Sequence, residues 1–248
     1  MQLDTYVDSY CERLEPGLWG EPLNALSNLA FAVAAVAVWI SLRTTDGRRV
    51  PASIAALPVL IALVFLGSTA FHTTATRWGG LLDVLFIAVF LLHYVAVFTH
   101  WFAGLRWRLA LVGVGVFVLF TGLVSVTLGR VIPGGSGMYA AALVAVLAFA
   151  GWLRFAGPVD ARPHWRMFAA AGVVFAVSLT LRTLDRPLCD SMPIGTHYWW
   201  HTLNAIALYL VSRAAVARWR QVSGFLEVDG LDEAVARPAD REDDAVDQ

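Results

Sequence analysis

The chain has 248 residues, of which 58% are hydrophobic and only 15% charged. A soluble domain is roughly 45–50% apolar and about 25% charged, so the surplus apolar surface must face a bilayer, and a water-soluble globule is excluded. The net charge of −1 argues against a nucleic-acid partner, and two cysteines are too few for a disulfide-rich scaffold or a CxxC zinc site, although one disulfide is possible.

The N-terminal segment, residues 1–23, is acidic and lacks the basic and apolar regions of a signal peptide, so the first apolar run reads as a retained span. A transmembrane helix needs about 20 mostly apolar residues. Seven stretches qualify, at 24–43, 52–72, 81–102, 107–128, 137–157, 165–184 and 196–217. Their apolar runs are continuous and do not alternate, which argues against strands. The expected fold is all-α, a seven-helix integral membrane bundle over 24–220 with antiparallel neighbours. All eighteen basic residues are Arg, a compositional bias. With the N-terminus outside, eleven Arg fall in inner segments, Arg48 among them, and five in outer ones, Arg130 among them. That bias places the C-terminus in the cytoplasm. Residues 221–248 are acidic and poor in large apolar side chains, and read as a disordered, solvated tail.

Ionisable residues inside spans are costly and usually functional. Here they gather at one depth. Ser68 and His72 lie four apart at the end of span two, Asp83 lies near the start of span three, and His197 and His201 lie four apart at the start of span seven. Residues four apart share a helix face. Three imidazoles with an open fourth position are a common way to hold catalytic zinc, which lowers the pKa of a bound water to about 7. Asp83 is placed to accept and return protons, and Ser68 to hydrogen-bond water or a developing oxyanion. His93, His100 and His164 read as packed polar residues. A retinal pump is excluded because the chain has no Lys.

Three blocks now bring a family into view: EPLNALSNLAF at 21–31, GSTAFHTTATRWGGLLD at 67–83 and DRPLCDSMPIGTHYWWH at 185–201. The chain resembles the alkaline ceramidases, within the seven-span hydrolases that include adiponectin-receptor-like proteins. The resemblance implies a zinc site of His72, His197 and His201 with Asp83 and Ser68 beside it. It implies attack of a zinc-bound water on the amide of a ceramide, giving a sphingoid base and a fatty acid. It further implies a disulfide between Cys11 and Cys189, which the expected topology puts on one side of the membrane. Eukaryotic members carry calcium in the N-terminal segment, and the matching acids are Asp8, Glu12 and Glu21. The spacing around Tyr10-Cys11-Glu12 departs from that pattern, and the alternative is that Glu21 caps span one. Asn24, Ser27 and Asn28 read as interhelical polar contacts.

The expected activity is therefore a zinc-dependent membrane amidohydrolase acting on ceramide-like lipids that enter from the bilayer. The alternatives are a hydrolase of other acyl amides or esters, and a seven-helix receptor with structural zinc. The short chain suggests a bacterial member in the inner membrane, with its site toward the outer leaflet. Small residues in spans four and five suit either close packing or an acyl groove. Oligomeric state is open.

Overall fold

A computed structural model describes residues 2–43, 49–128 and 135–235, with side chains described to residue 224. Arg48, Arg130 and the tail beyond 235 lie outside the described residues.

Among the described residues, eight α-helices carry the fold: α1 (Pro22–Ser27), α2 (Leu29–Leu42), α3 (Ala52–Thr74), α4 (Arg77–Trp101), α5 (Trp107–Leu128), α6 (Ala140–Phe155), α7 (Trp165–Leu184) and α8 (His197–Val235). Six segments of those residues are long and apolar enough to cross a membrane, from Pro22–Leu42 through Arg162–Leu184. The chain is thus an all-helical, multi-pass membrane protein. α8 is not among the six. Its flank is polar, and it packs against α2, α3, α4 and α7, so it is walled by protein over much of its length. Polar residues are tolerated on such a helix because they face the bundle and not lipid.

The expected spans agree with the helices to within a few residues, with two differences. The first span is interrupted at Asn28, where the Asn28 amide donates to the carbonyl of Asn24 at 2.9 Å, and Ser27 Oγ donates to the same oxygen at 2.9 Å. Side chains there compete for a ladder acceptor and separate α1 from α2. The second difference is the length of the last helix. α8 runs on to Val235, past the expected span end at 217, through a stretch that contains no proline and carries Leu226, Glu227, Leu231, Glu233 and Ala234, which favour helix, alongside two glycines.

The core lies between α2, α3, α4, α7 and α8, where Val38, Ile54, Leu57, Ile61, Val97, Phe168 and Ala214 are fully buried. α5 is peripheral. Only Ala110 on it is buried, while Leu111, Val116, Leu119 and Leu123 are exposed, the surface expected of a lipid-facing helix. α3 and α4 meet most closely. A Cβ at Gly67 would lie 2.8 Å from the carbonyl oxygen of Leu82, and one at Gly79 would lie 2.9 Å from Cα of Phe71. Small residues at such crossings let helix backbones approach. The turn between them needs only Ala75, in the left-handed region at φ 53°, and Thr76, whose hydroxyl caps α4 by accepting from Gly79 N at 3.3 Å.

The N-terminal segment is strapped over this turn. Val7 N donates to Ala75 O at 2.8 Å, Arg77 N to Thr5 O at 3.1 Å, and Trp78 N to Leu3 O at 3.1 Å. The far end of the bundle is tied separately: Arg218 donates to Trp101 O at 2.9 Å and to Asp160 Oδ2 at 2.7 Å. Arg218 lies 21 residues along α8 from His197, about 30 Å at helical rise. The bundle therefore has a polar end carrying the strap and a second, separately clamped end.

Candidate metal centre

The end of α3, the second turn of α4 and the start of α8 converge under the strap. His72, His197 and His201 are each 1% exposed, and their candidate ligand atoms all lie within 4.8 Å of one another. Their ring centroids are 5.2, 4.6 and 4.7 Å apart for the pairs 72–197, 72–201 and 197–201. The i, i+4 spacing on α8 supplies one pair, and the short α3–α4 turn holds the third ring against it. Among the described residues this is the one group of His, Cys, Asp or Glu gathered closely enough to hold a metal.

The hydrogen bonds around the rings leave nitrogen lone pairs inward. His72 Nδ1 donates to Glu21 Oε2 at 2.8 Å, which leaves Nε2 as the acceptor, and that atom is buried without a partner. Ser27 spends its single proton on Asn24 O, so at 2.8 Å it accepts from His201 Nδ1, which makes Nε2 the acceptor nitrogen of that ring. His197 Nδ1 is buried and unpartnered. Orphaned buried nitrogens on neighbouring rings, with a carboxylate and a hydroxyl fixing two tautomers from behind, are the donor set that a transition metal such as zinc requires.

Ser68 lies one helical turn before His72 on α3, and Asp83 meets it from α4. Ser68 is buried and hydrogen-bonds the Asp83 carboxylate, whose Oδ1 is buried without a partner. α4 begins at Arg77, so Asp83 sits in its second turn and not at its edge. Asp83 lines a cavity of about 750 Å³ with Tyr10, Phe71, Tyr139 and Arg182. The three imidazoles do not line it. Tyr10 stands between, stacked on His197 at 3.8 Å. Arg182 donates to Ser136 Oγ at 2.6 Å and lies over the rings of Tyr139 and Trp200.

The acids of the N-terminal segment are engaged separately. Glu12 accepts from Leu23 N at 2.7 Å and Asn24 N at 2.8 Å, so Glu12 caps α1. Glu21, a candidate for that cap, makes no side-chain capping bond and pairs instead with Arg13, His72 and Asn24. Asp8 is half-exposed and lies 3.7 Å from Arg186. Burial pushes the Glu12 carboxyl up against the pull of its two backbone donors, raises the Tyr10 phenol, and lowers the Arg13 guanidinium from its very high ordinary value.

The sulfurs of Cys11 and Cys189 lie at disulfide distance, 2.01 Å. Next to them, Asp185 is 2% exposed and accepts from Cys11 N at 3.0 Å, Thr196 N at 2.6 Å and His197 N at 2.9 Å. It pins the strap to the first turn of α8. Gly195, at φ 64°, passes so close that a Cβ would collide with this carboxylate. Asp185, Arg13 and Tyr10 were not singled out as site residues from sequence. Asp185 lies 12 residues before the helix it caps, and no capping pattern has that spacing. His93 donates to Ser53 O at 2.7 Å, His100 to Leu105 O at 2.9 Å, and His164 lies 3.1 Å from Gln221, all away from the site.

No curated protein matches the chain. A family model described as Ceramidase matches residues 15–221, which takes in Glu21, His72, Asp83, His197 and His201. The chain belongs to the ceramidase family, which implies hydrolysis of an amide in a membrane lipid.

Proposed function

We propose that the protein is a zinc-dependent amidohydrolase that cleaves ceramide-like lipids to a sphingoid base and a fatty acid. One observation carries this reading: three buried, clustered histidines, two of them with an unpartnered ring nitrogen, accompany a Ser68–Asp83 pair whose Asp83 lines a large cavity. His72, His197 and His201 hold the metal. Bound zinc supplies Lewis acidity and makes water nucleophilic near neutral pH. Asp83 accepts the proton of the attacking water through Oδ1 and returns it to the amine nitrogen as the C–N bond breaks. Ser68 fixes the other side of that carboxylate. Tyr10 and Phe71 shield the rings from bulk water, and Arg182 and Tyr139 offer a polar wall to headgroup hydroxyls.

An apolar cavity between α4, α5, α6, α7 and α8, lined by Phe90, Phe117, Ala145, Phe149 and Leu208 among others, is the proposed acyl subsite. Small residues on α6 thus serve as a groove and not only as packing. We place α8 as the seventh span, the N-terminal strap and the site at the outer leaflet of a bacterial inner membrane, and the clamped end on the cytoplasmic side, in keeping with the arginine bias.

The test is a lipid panel with purified protein, read together with metal analysis of wild type and His197→Ala. About one zinc per chain and amide hydrolysis, both lost in the variant, are expected. Zinc with no hydrolysis of any acyl amide or ester would favour a receptor with structural metal, and absence of zinc would remove the centre.

A further inference from the structure

We infer that Arg13 is the positioning cation of this centre: a guanidinium built into the chain holds Glu21, and through it His72, so that the site is organised without calcium. The inference rests on the zinc-site reading above.

Glu21 is 1% exposed, and a carboxylate so deeply buried needs a compensating charge and filled lone pairs. Oε1 receives Arg13 Nε, and Oε2 receives His72 Nδ1 and Asn24 Nδ2, each at 2.8 Å. Arg13 is itself fully engaged, with its side chain 0% exposed. Nη1 donates to Val7 O, Nη2 donates to Phe71 O at 3.3 Å, and the guanidinium lies 4.7 Å from the Phe71 ring centroid. It therefore grips both the acid behind His72 and the backbone of the residue preceding His72. A guanidinium is always charged and presents its donors in a fixed plane, which suits it to this permanent role.

Calcium takes six to eight oxygen ligands. The acids that the family resemblance assigns to it do not fit. Both Glu21 oxygens are occupied, both Glu12 oxygens cap α1, and Asp8 points to Arg186. The cation in contact with Glu21 is Arg13.

The experiment uses full-length protein in detergent. Zinc retention is measured by chelator competition well below the unfolding temperature, for wild type, R13Q, R13K, E21Q and the R13Q/E21Q double variant. Each cobalt(II)-loaded protein also gives a visible spectrum. Loss of a partner behind a ligating histidine weakens metal binding about 10–100-fold. R13Q and E21Q are each expected to show such a loss. The double variant is expected to lose no more than the worse single one, because Arg13 acts through Glu21. R13K, which keeps the charge, is expected to regain most of the retention and the wild-type cobalt bands. Millimolar calcium, or a calcium-selective chelator, is expected to leave the wild-type melting temperature and zinc retention unchanged. A calcium-dependent melting temperature, wild-type retention in R13Q, or losses that multiply in the double variant would each overturn the inference. If R13Q does not fold, the calcium titration and R13K decide it. Wild-type protein without zinc overturns the proposed function as well, whereas zinc-bound wild type with any of those results overturns this inference alone.

Discussion

Replacing Asp185 tests how the strap and the first turn of α8 are joined. Its carboxylate accepts three backbone N–H groups, those of Thr196 and His197 being buried and that of Cys11 partly so. A buried donor left without a partner costs about 1–3 kcal/mol. Asp185→Ala leaves two such donors, so the expected loss is about 2–6 kcal/mol. For a chain of this size each kcal/mol moves Tm by roughly 2–4 °C, so a mid-range loss of about 4 kcal/mol lowers it by roughly 8–16 °C. Asp185→Asn keeps the oxygen that serves Thr196 and His197 and turns an amide toward Cys11, so it is expected to cost only about 1–2 kcal/mol. Melting of both variants in detergent, with metal content measured alongside, provides the comparison. The Ala variant should also hold zinc less well, because His197 begins the turn that is released. Equal losses in the two variants, or a Tm within 2 °C of wild type for Asp185→Ala, would show that the carboxylate does not hold this junction.

Three further expectations follow from the geometry. Asp83→Asn should retain metal and fold yet lower turnover about 10²–10⁴-fold, since it removes the proton acceptor; unchanged turnover takes Asp83 out of the chemistry. Non-reducing peptide mapping should link Cys11 to Cys189, and replacing both with Ala should destabilise the chain by about 2–5 kcal/mol; free thiols in protein made under oxidising conditions would refute the link. Arg218 holds the Asp160 carboxyl below its ordinary 3.8, so this pair's contribution is fully present above that pH and is lost as pH falls through the lower folded value. Asp160→Asn should flatten that acid limb of the stability profile, and an identical limb would discount the clamp.

The histidines, Asp83 and Ser68 were legible because a polar side chain stands out in an apolar run, and helical spacing places it on a face. The cation behind them was not. Arg13, Glu21 and His72 are joined across 58 intervening positions and two connections, and no periodicity reports such a contact. Glu21 illustrates the difficulty: a carboxylate opening a helix suggests a cap or a cation ligand, yet Glu12 takes the cap. Helix ends shifted by a few residues because Trp, Arg and Thr at the margins satisfy either assignment, as at Thr76 and Arg77. The continuation of α8 to Val235 escaped notice because acidity suggests a solvated tail, while charge by itself does not oppose a helix.

The placement of the candidate metal ligands along the chain also bears on biosynthesis. One histidine arrives with α3, but the other two arrive with α8, and the strap's cysteine waits for Cys189. A nascent chain lacking α8 carries one of the three clustered histidines and lacks the helix turn to which Asp185 pins the strap. The histidine cluster is thus completed only when nearly all the helices have been made, so on the proposed reading a partly inserted chain would have no activity toward the bilayer it is entering.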